Sequence, residues 1–123
     1  MKDTQTKHKN QLPNPAPAPS GDGCKECLEN GTWWLHLRRC LTCGHIGCCD
    51  SSPNQHARKH WHESGHQYLT TFEPESPWIY DYTQEGYSSK QLPELSPPLN
   101  RPLNQPAPGP EGKVPEDWRV KLN

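Results

Sequence analysis

All six cysteines and six of the seven histidines fall within 64 of the 123 residues, in an order suited to metal ligation. Along the chain they read Cys24-x2-Cys27, Cys40-x2-Cys43, Cys48-Cys49, then His56-x3-His60-x5-His66. A CxxC pair on a tight turn aims two thiolates at one ion, and imidazole nitrogens complete such a set. Gly44, directly after the second pair, suits a turn that needs a positive φ. Eight donors fill two tetrahedral sites and leave one cysteine over. Spacing alone leaves the grouping open. Cys24, Cys27, Cys40 and Cys43 could hold one ion and Cys48, His56, His60 and His66 the other, or the donors could interleave.

Other readings of these residues are weaker. Short CxxC loops gain little as structural disulfides, and nothing in the sequence points to an oxidising compartment. No βαβ pattern of the thioredoxin kind surrounds either pair. His62-Glu63-Ser64-Gly65-His66 matches HExxH, whose chemistry needs both histidines on one helical face. Here Ser52 as N-cap, Pro53 at the first helical position and Gln55 as capping-box partner predict a helix over 53–63. Gly65 then stands at C′, and the motif straddles the helix end. On that helix His56 and His60 share a face, and His66 turns back from beyond it. His36, His45 and His62 read as surface or packing histidines.

The 64-residue segment has 17 apolar residues besides cysteine, too few to fold on burial alone. Proline marks its limits. Residues 1–23 carry four, 24–87 three and 88–123 eight. The first stretch reads as a disordered leader, 24–87 as the folded unit, and 88–123 as an extended or disordered tail. Leu92, Leu95, Leu99 and Leu103 mimic a helical stripe, but Pro93, Pro97, Pro98 and Pro102 interrupt it. An extended segment laying leucines on the domain is the other option. No apolar run approaches the roughly 20 residues that span a bilayer. Met1 to Gln5 lacks the apolar stretch of a secretory signal, which predicts a cytoplasmic protein. The middle segment has five basic and eight acidic residues, which argues against nucleic acid as a partner.

The ordered motifs Cys24-Lys25-Glu26-Cys27, Cys40-Leu41-Thr42-Cys43-Gly44-His45-Ile46-Gly47-Cys48, His56-x3-His60 and Gly65-His66 resemble the UBP-type zinc finger. That finger occurs in ubiquitin-specific proteases and a tubulin deacetylase, and this sequence is most similar to the small stand-alone bacterial members. The resemblance implies an α+β fold, a twisted antiparallel sheet with a helix packed across it, stabilised by zinc and flanked here by Pro-rich tails. Strands are expected at about 33–39, 67–72 and 78–82. The resemblance also implies interleaved ligands for two Zn²⁺ ions: Cys24, Cys27, Cys48 and His56 for one, Cys40, Cys43, His60 and His66 for the other. The family spacing to the first histidine fits Cys49, whereas the knuckle pattern fits Cys48. Cys48 is taken as the ligand.

The family's eukaryotic members bind the C-terminal Gly-Gly of ubiquitin in an aromatic pocket with an arginine clamp. Trp78, Tyr80 and either Tyr82 or Tyr87 would supply such walls here. Asp50 stands where the clamp arginine belongs, which argues against ubiquitin itself, and Arg38 replaces a pocket tryptophan. Arg38 or Arg39 is the available substitute cation. The expectation is a monomeric, non-catalytic zinc module that binds protein or peptide, possibly a chain terminus, and neither membrane nor nucleic acid. The alternatives are a zinc-dependent hydrolase, or a thiol- or metal-responsive protein using Cys49.

Overall fold

The computed structural model describes residues 12–95, 100–102 and 104–121. Its strands are β1 (Leu37–Cys40), β2 (Ile46–Cys48), β3 (Tyr68–Thr71), β4 (Tyr80–Asp81) and β5 (Gly86–Tyr87). They form one antiparallel sheet in the order β2-β1-β3-β4-β5. The helices among the described residues are α1 (Lys25–Asn30), α2 (His56–Ser64) and α3 (Trp118–Lys121). This is the expected α+β architecture.

Register sorts the side chains onto two faces, because successive residues of a strand point to opposite sides. Leu37 lies opposite Cys48 and Arg39 opposite Ile46, while Cys40 lies opposite Leu69 and Leu69 opposite Tyr80. One face therefore carries Arg38, Cys40, Leu69 and Tyr80. The other carries Leu37, Arg39, Ile46, Cys48 and Tyr68. Helix α2 packs closely on the first face at Gly47, where a Cβ would come within 2.7 Å of the Ala57 nitrogen. The second face builds a core of Cys24, Cys27, Trp34, Leu37, Ile46, Cys48 and Phe72.

Local sequence explains the ends of α2 only in part. Gly65 closes it in the left-handed conformation at φ 79°, its N–H donating to the Trp61 carbonyl, as a C′ glycine should. The start lies later than the capping signals predict. Ser52 accepts the Leu35 N–H instead, and Gln55, at φ 48°, donates to the Asp50 carbonyl. A distant partner outcompetes the local cap. The first expected strand also shortens, because Trp34 pairs its backbone with Gly109 rather than with the sheet.

The flanking segments are packed where they are described, which corrects the disordered leader. Residues 1–11 lie outside the described residues. Ala16 is buried, its N–H donates to the Glu94 carbonyl, and Ser20 bonds both Gly44 and Ile46. A proline-rich strand has few conformations to lose, so ordering it costs less than its low apolar content suggests. Its carbonyls have no internal partners and are free to accept bonds. Leu95 is buried and Leu92 partly buried in a second core with Ala16, Leu41, Tyr68 and Ile79. Leu99 and Leu103 lie outside the described residues.

Glu73 ties the tail to β1. Its carboxylate accepts the Leu37 N–H at 2.8 Å and pairs with Arg101 at 2.7 Å. Burial alone would raise its pKa, but bonds from His36, Arg101 and Leu37 outweigh burial and hold it below the usual value. A depressed carboxylate stabilises the fold in full above its unfolded value and loses that contribution as pH falls through its folded one. Glu73→Gln should therefore cost about 1–3 kcal/mol. The cost should be equal at pH 8 and pH 6 in urea denaturation of the zinc-loaded protein.

Candidate metal centre

The eight predicted donors come together as two groups of four. Cys24, Cys27, Cys48 and His56 form one, and Cys40, Cys43, His60 and His66 the other, with donor atoms within 4.8 Å of one another in each. Cys24 and Cys27 straddle the start of α1, Cys48 ends β2 and His56 opens α2. Cys40 ends β1, Cys43 lies in the turn after it, His60 is one turn along α2 and His66 follows Gly65. The i, i+4 placement of His56 and His60 sends one helix to both centres.

The donor geometry suits tetrahedral zinc. Zn–S near 2.3 Å and Zn–N near 2.0 Å imply S···N edges of about 3.5 Å and S···S edges of about 3.8 Å. In the first group His56 Nδ1 lies 3.3 Å from Cys24 Sγ, 3.3 Å from Cys27 Sγ and 3.5 Å from Cys48 Sγ. Cys27 and Cys48 sulfurs are 3.9 Å apart. In the second, Cys43 Sγ is 3.3 Å from His60 Nε2, and Cys40 Sγ is 3.6 Å from His66 Nδ1. No cysteine is in a disulfide.

The electrostatics suit a bound cation. Hydrogen bonds from Cys24 and Cys48 hold the Cys27 thiol down at about 3. The same contacts with Cys27 and Cys48, together with burial, push Cys24 far above its ordinary value. Coordination requires three thiolates, which a divalent ion stabilises in a buried site. In the second group burial pushes Cys40 up to about 11. His60 is lowered to about 4, by burial first and then by His45 and His66, so its imidazole is neutral and able to ligate. Each group can hold a zinc ion, and zinc bound there would supply folding energy rather than an open coordination position.

The remaining cysteine and histidines stand outside both groups. Cys49 Sγ faces Ser52 Oγ at 3.4 Å. His36 lies 3.7 Å from Glu73, and the His62 ring packs on Trp61 at 4.5 Å. His45 is nearly buried, stacks on His60 and bonds Glu26. Its position in the turn after Cys43 places it beside the centre, but its partner Glu26 is 19 residues away and no local motif announces the pair. Cys49→Ser should keep both zinc ions by native mass spectrometry, whereas Cys48→Ser should lose the ion of the first group. Equal metal content in the two variants would contradict this grouping.

A family model described as "Zn-finger in ubiquitin-hydrolases and other protein" matches residues 24–92. The chain belongs to the UBP-type zinc-finger family. This finger is 32% identical over 69 residues to BRAP2 RING ZnF UBP domain-containing protein 2 of Arabidopsis thaliana, a match covering 56% of this chain and 13% of that protein. It is 36% identical over 64 residues to the human BRCA1-associated protein, covering 52% of this chain and 10% of that one. The finger thus matches only a small part of each curated relative. The solution NMR structure of protein RPA1320 from Rhodopseudomonas palustris superposes with a TM-score of 0.59 at 37% identity, covering 78% of this chain and 92% of that one. The match to a short chain is consistent with the resemblance to small stand-alone members.

Next to the metal groups, a cleft of about 260 Å³ opens on the sheet face that carries Arg38 and Tyr80. Trp78, Tyr80, Tyr82 and Tyr87 line it, with Asp50 and Cys49 at its side. Trp78 and Tyr87 meet edge to face at 5.6 Å, and Tyr80 and Tyr87 at 5.7 Å. Tyr82 is buried, stacked on Trp61 at 4.7 Å, and forms the floor. Arg38 lies 5.1 Å over the Trp78 ring. Asp50 is held by Arg58, with Nη2 donating at 2.6 Å and Nε at 3.1 Å, so its charge is offset within the protein. Arg39 is not the substitute cation. Strand alternation turns it to the opposite face, where it is fully buried and donates to the Pro17 carbonyl at 2.7 Å.

Proposed function

We propose that this UBP finger is a non-catalytic, monomeric module in which two closed zinc sites hold open an aromatic cleft for an extended protein segment, a chain terminus above all. The cleft itself carries the reading. Trp78, Tyr80 and Tyr87 are large, partly exposed aromatics around a cavity, and Arg38 faces it with no carboxylate partner among the described residues. Aromatic and arginine anchors dominate binding energy at such surfaces. A guanidinium over an aromatic ring is placed to bond a carboxylate or backbone carbonyl.

Four protein donors at each ion leave no position for a reacting water, which favours binding over hydrolysis. Thiolate ligands also imply a reducing compartment, and the cytoplasm fits. Among the described residues no helix is long and apolar enough to cross a membrane. The Asp50–Arg58 pair leaves Arg38 as the clamp, on β1 rather than in the turn after β2 where the family's arginine position falls, so ubiquitin is not the favoured occupant.

An NMR titration of the zinc-loaded protein with a peptide bearing a free C-terminal Gly-Gly, and with its amide, tests this. Shifts should gather at Arg38, Trp78, Tyr80 and Tyr82 and weaken in Trp78→Ala, with the amide binding less tightly if the terminus is read. A pull-down with the intact protein supplies further sequences for the same titration. Segments that bind Trp78→Ala as well as wild type would remove the cleft from the function.

A further inference from the structure

The two metal groups are joined by one polar contact that neither of them requires. Glu26 lies in α1 between Cys24 and Cys27, both donors of the sulfur-rich group. Both of its carboxylate oxygens lie 2.9 Å from His45 Nε2. The His45 ring stacks on His60, a donor of the other group, with centroids 4.0 Å apart and planes 7° from parallel. His60 Nε2 in turn faces Cys43 Sγ at 3.3 Å. His45 is also fixed through its backbone, its carbonyl accepting the N–H of the donor Cys40 at 2.9 Å.

We propose that Glu26 and His45 are positioning residues that couple the two zinc centres, so that filling the sulfur-rich centre tightens the other. The inference rests on the two-zinc reading above. Its physical basis is the weakness of α1. A helix of six residues has no stability of its own, and its first turn is pinned here by Cys24 at the N-cap and Cys27 within it. With an ion between those sulfurs, Glu26 is held toward the turn and orients the His45 ring. That ring then keeps His60 from rotating away from Cys43. The second ion binds a donor already in place and meets a smaller ordering cost. Without the first ion, α1 loosens, Glu26 moves off and the His60 ring loses the neighbour that orients it against Cys43. Coupling of this kind is reciprocal, so the second ion tightens the first by the same factor.

The test withdraws zinc from the loaded protein with a graded chelator. Native mass spectrometry counts the ions. Cobalt substitution tells the centres apart, since three thiolates and two thiolates give different charge-transfer intensity. Variant His66→Ala disables the second centre while leaving the sulfur-rich one whole. In the wild-type background it should weaken the sulfur-rich centre by about the coupling factor, which for residues behind metal ligands is on the order of 10-fold or more. In a Glu26→Gln background the same change should have almost no effect on that centre. Glu26→Gln alone should weaken the second centre about 10-fold. His45→Phe keeps a ring on His60 but loses the Nε2 proton, and should behave like Glu26→Gln. Lys25→Ala, which breaks only the exposed Lys25–Glu29 pair of the same helix, should change nothing.

A wild type whose two ions leave independently would overturn the coupling while leaving the two-zinc reading intact. So would a Glu26→Gln protein that loses affinity only at the sulfur-rich centre, or a His45→Phe protein indistinguishable from wild type. A wild type that holds no zinc would overturn the metal reading and the coupling together.

Discussion

His56→Ala should abolish the cooperative thermal transition of the zinc-loaded protein, whereas His60→Ala should lose one ion of two and keep a weaker transition. The difference follows from where each group sits. All four residues of the first group are buried, and its three sulfurs are part of the core with Trp34, Leu37, Ile46 and Phe72. Removing the imidazole leaves a three-coordinate site and invites water or charge into that core. Structural zinc contributes about 10–16 kcal/mol to folding in small fingers. That is comparable with the whole stability of a typical domain, about 5–15 kcal/mol. The second group has one buried and one exposed cysteine with two half-buried histidines, so its loss opens the surface rather than the centre. Circular dichroism melts with parallel metal analysis check both. A His56→Ala protein with two ions and an unchanged melt would refute the assignment of the first group as the folding nucleus.

A chain ending at Tyr87 should be destabilised by about 3–5 kcal/mol, the scale of losing a large buried apolar side chain's packing. For a domain of this size that lowers Tm by more than about 10 °C. The tail covers Trp34, which is fully buried. Gly109 pairs with Trp34 through N–H···O bonds of 2.6 and 3.0 Å, and the indole Nε1 donates to the Pro106 carbonyl at 3.2 Å. Leu95 leaves the second core with the truncation, and Glu73 loses Arg101. Gly109→Val reaches part of the same effect in the full chain, because a Cβ at Gly109 would collide with the Pro106 carbonyl and sit 2.9 Å from the Trp34 Nε1 atom. Calorimetry of both proteins, loaded with zinc, gives the answer. A truncated chain that melts with the intact one would mean that the tail contacts contribute nothing.

The sequence showed donors well and partners poorly. Cysteine and histidine identities depend on no neighbours, and Gly44 and Gly65 mark turns whose conformation is local, at φ 85° and 79°. Runs rich in aromatic and β-branched residues located β1, β3 and β4 in outline. What failed was whatever a distant residue decides. Ser52 looked like a helix cap until Leu35 took its hydroxyl. Asp50 looked like bare negative charge until Arg58 closed on it. Arg39 looked equivalent to Arg38, and only the register put them on opposite faces. The leader and tail looked unpacked because apolar counting gives no weight to backbone carbonyls, which is how Pro17 and Pro106 attach. Spacing left two donor groupings open because both satisfy zinc. Choosing between them needs the chain's path through space.

That interlaced path carries a cost during synthesis. Four thiols, at positions 24, 27, 40 and 43, leave the ribosome before any of the imidazoles that the finished protein pairs with them. They form by themselves a chemically acceptable cage for one ion, so a metal captured early must be surrendered and handed on before either native centre can close.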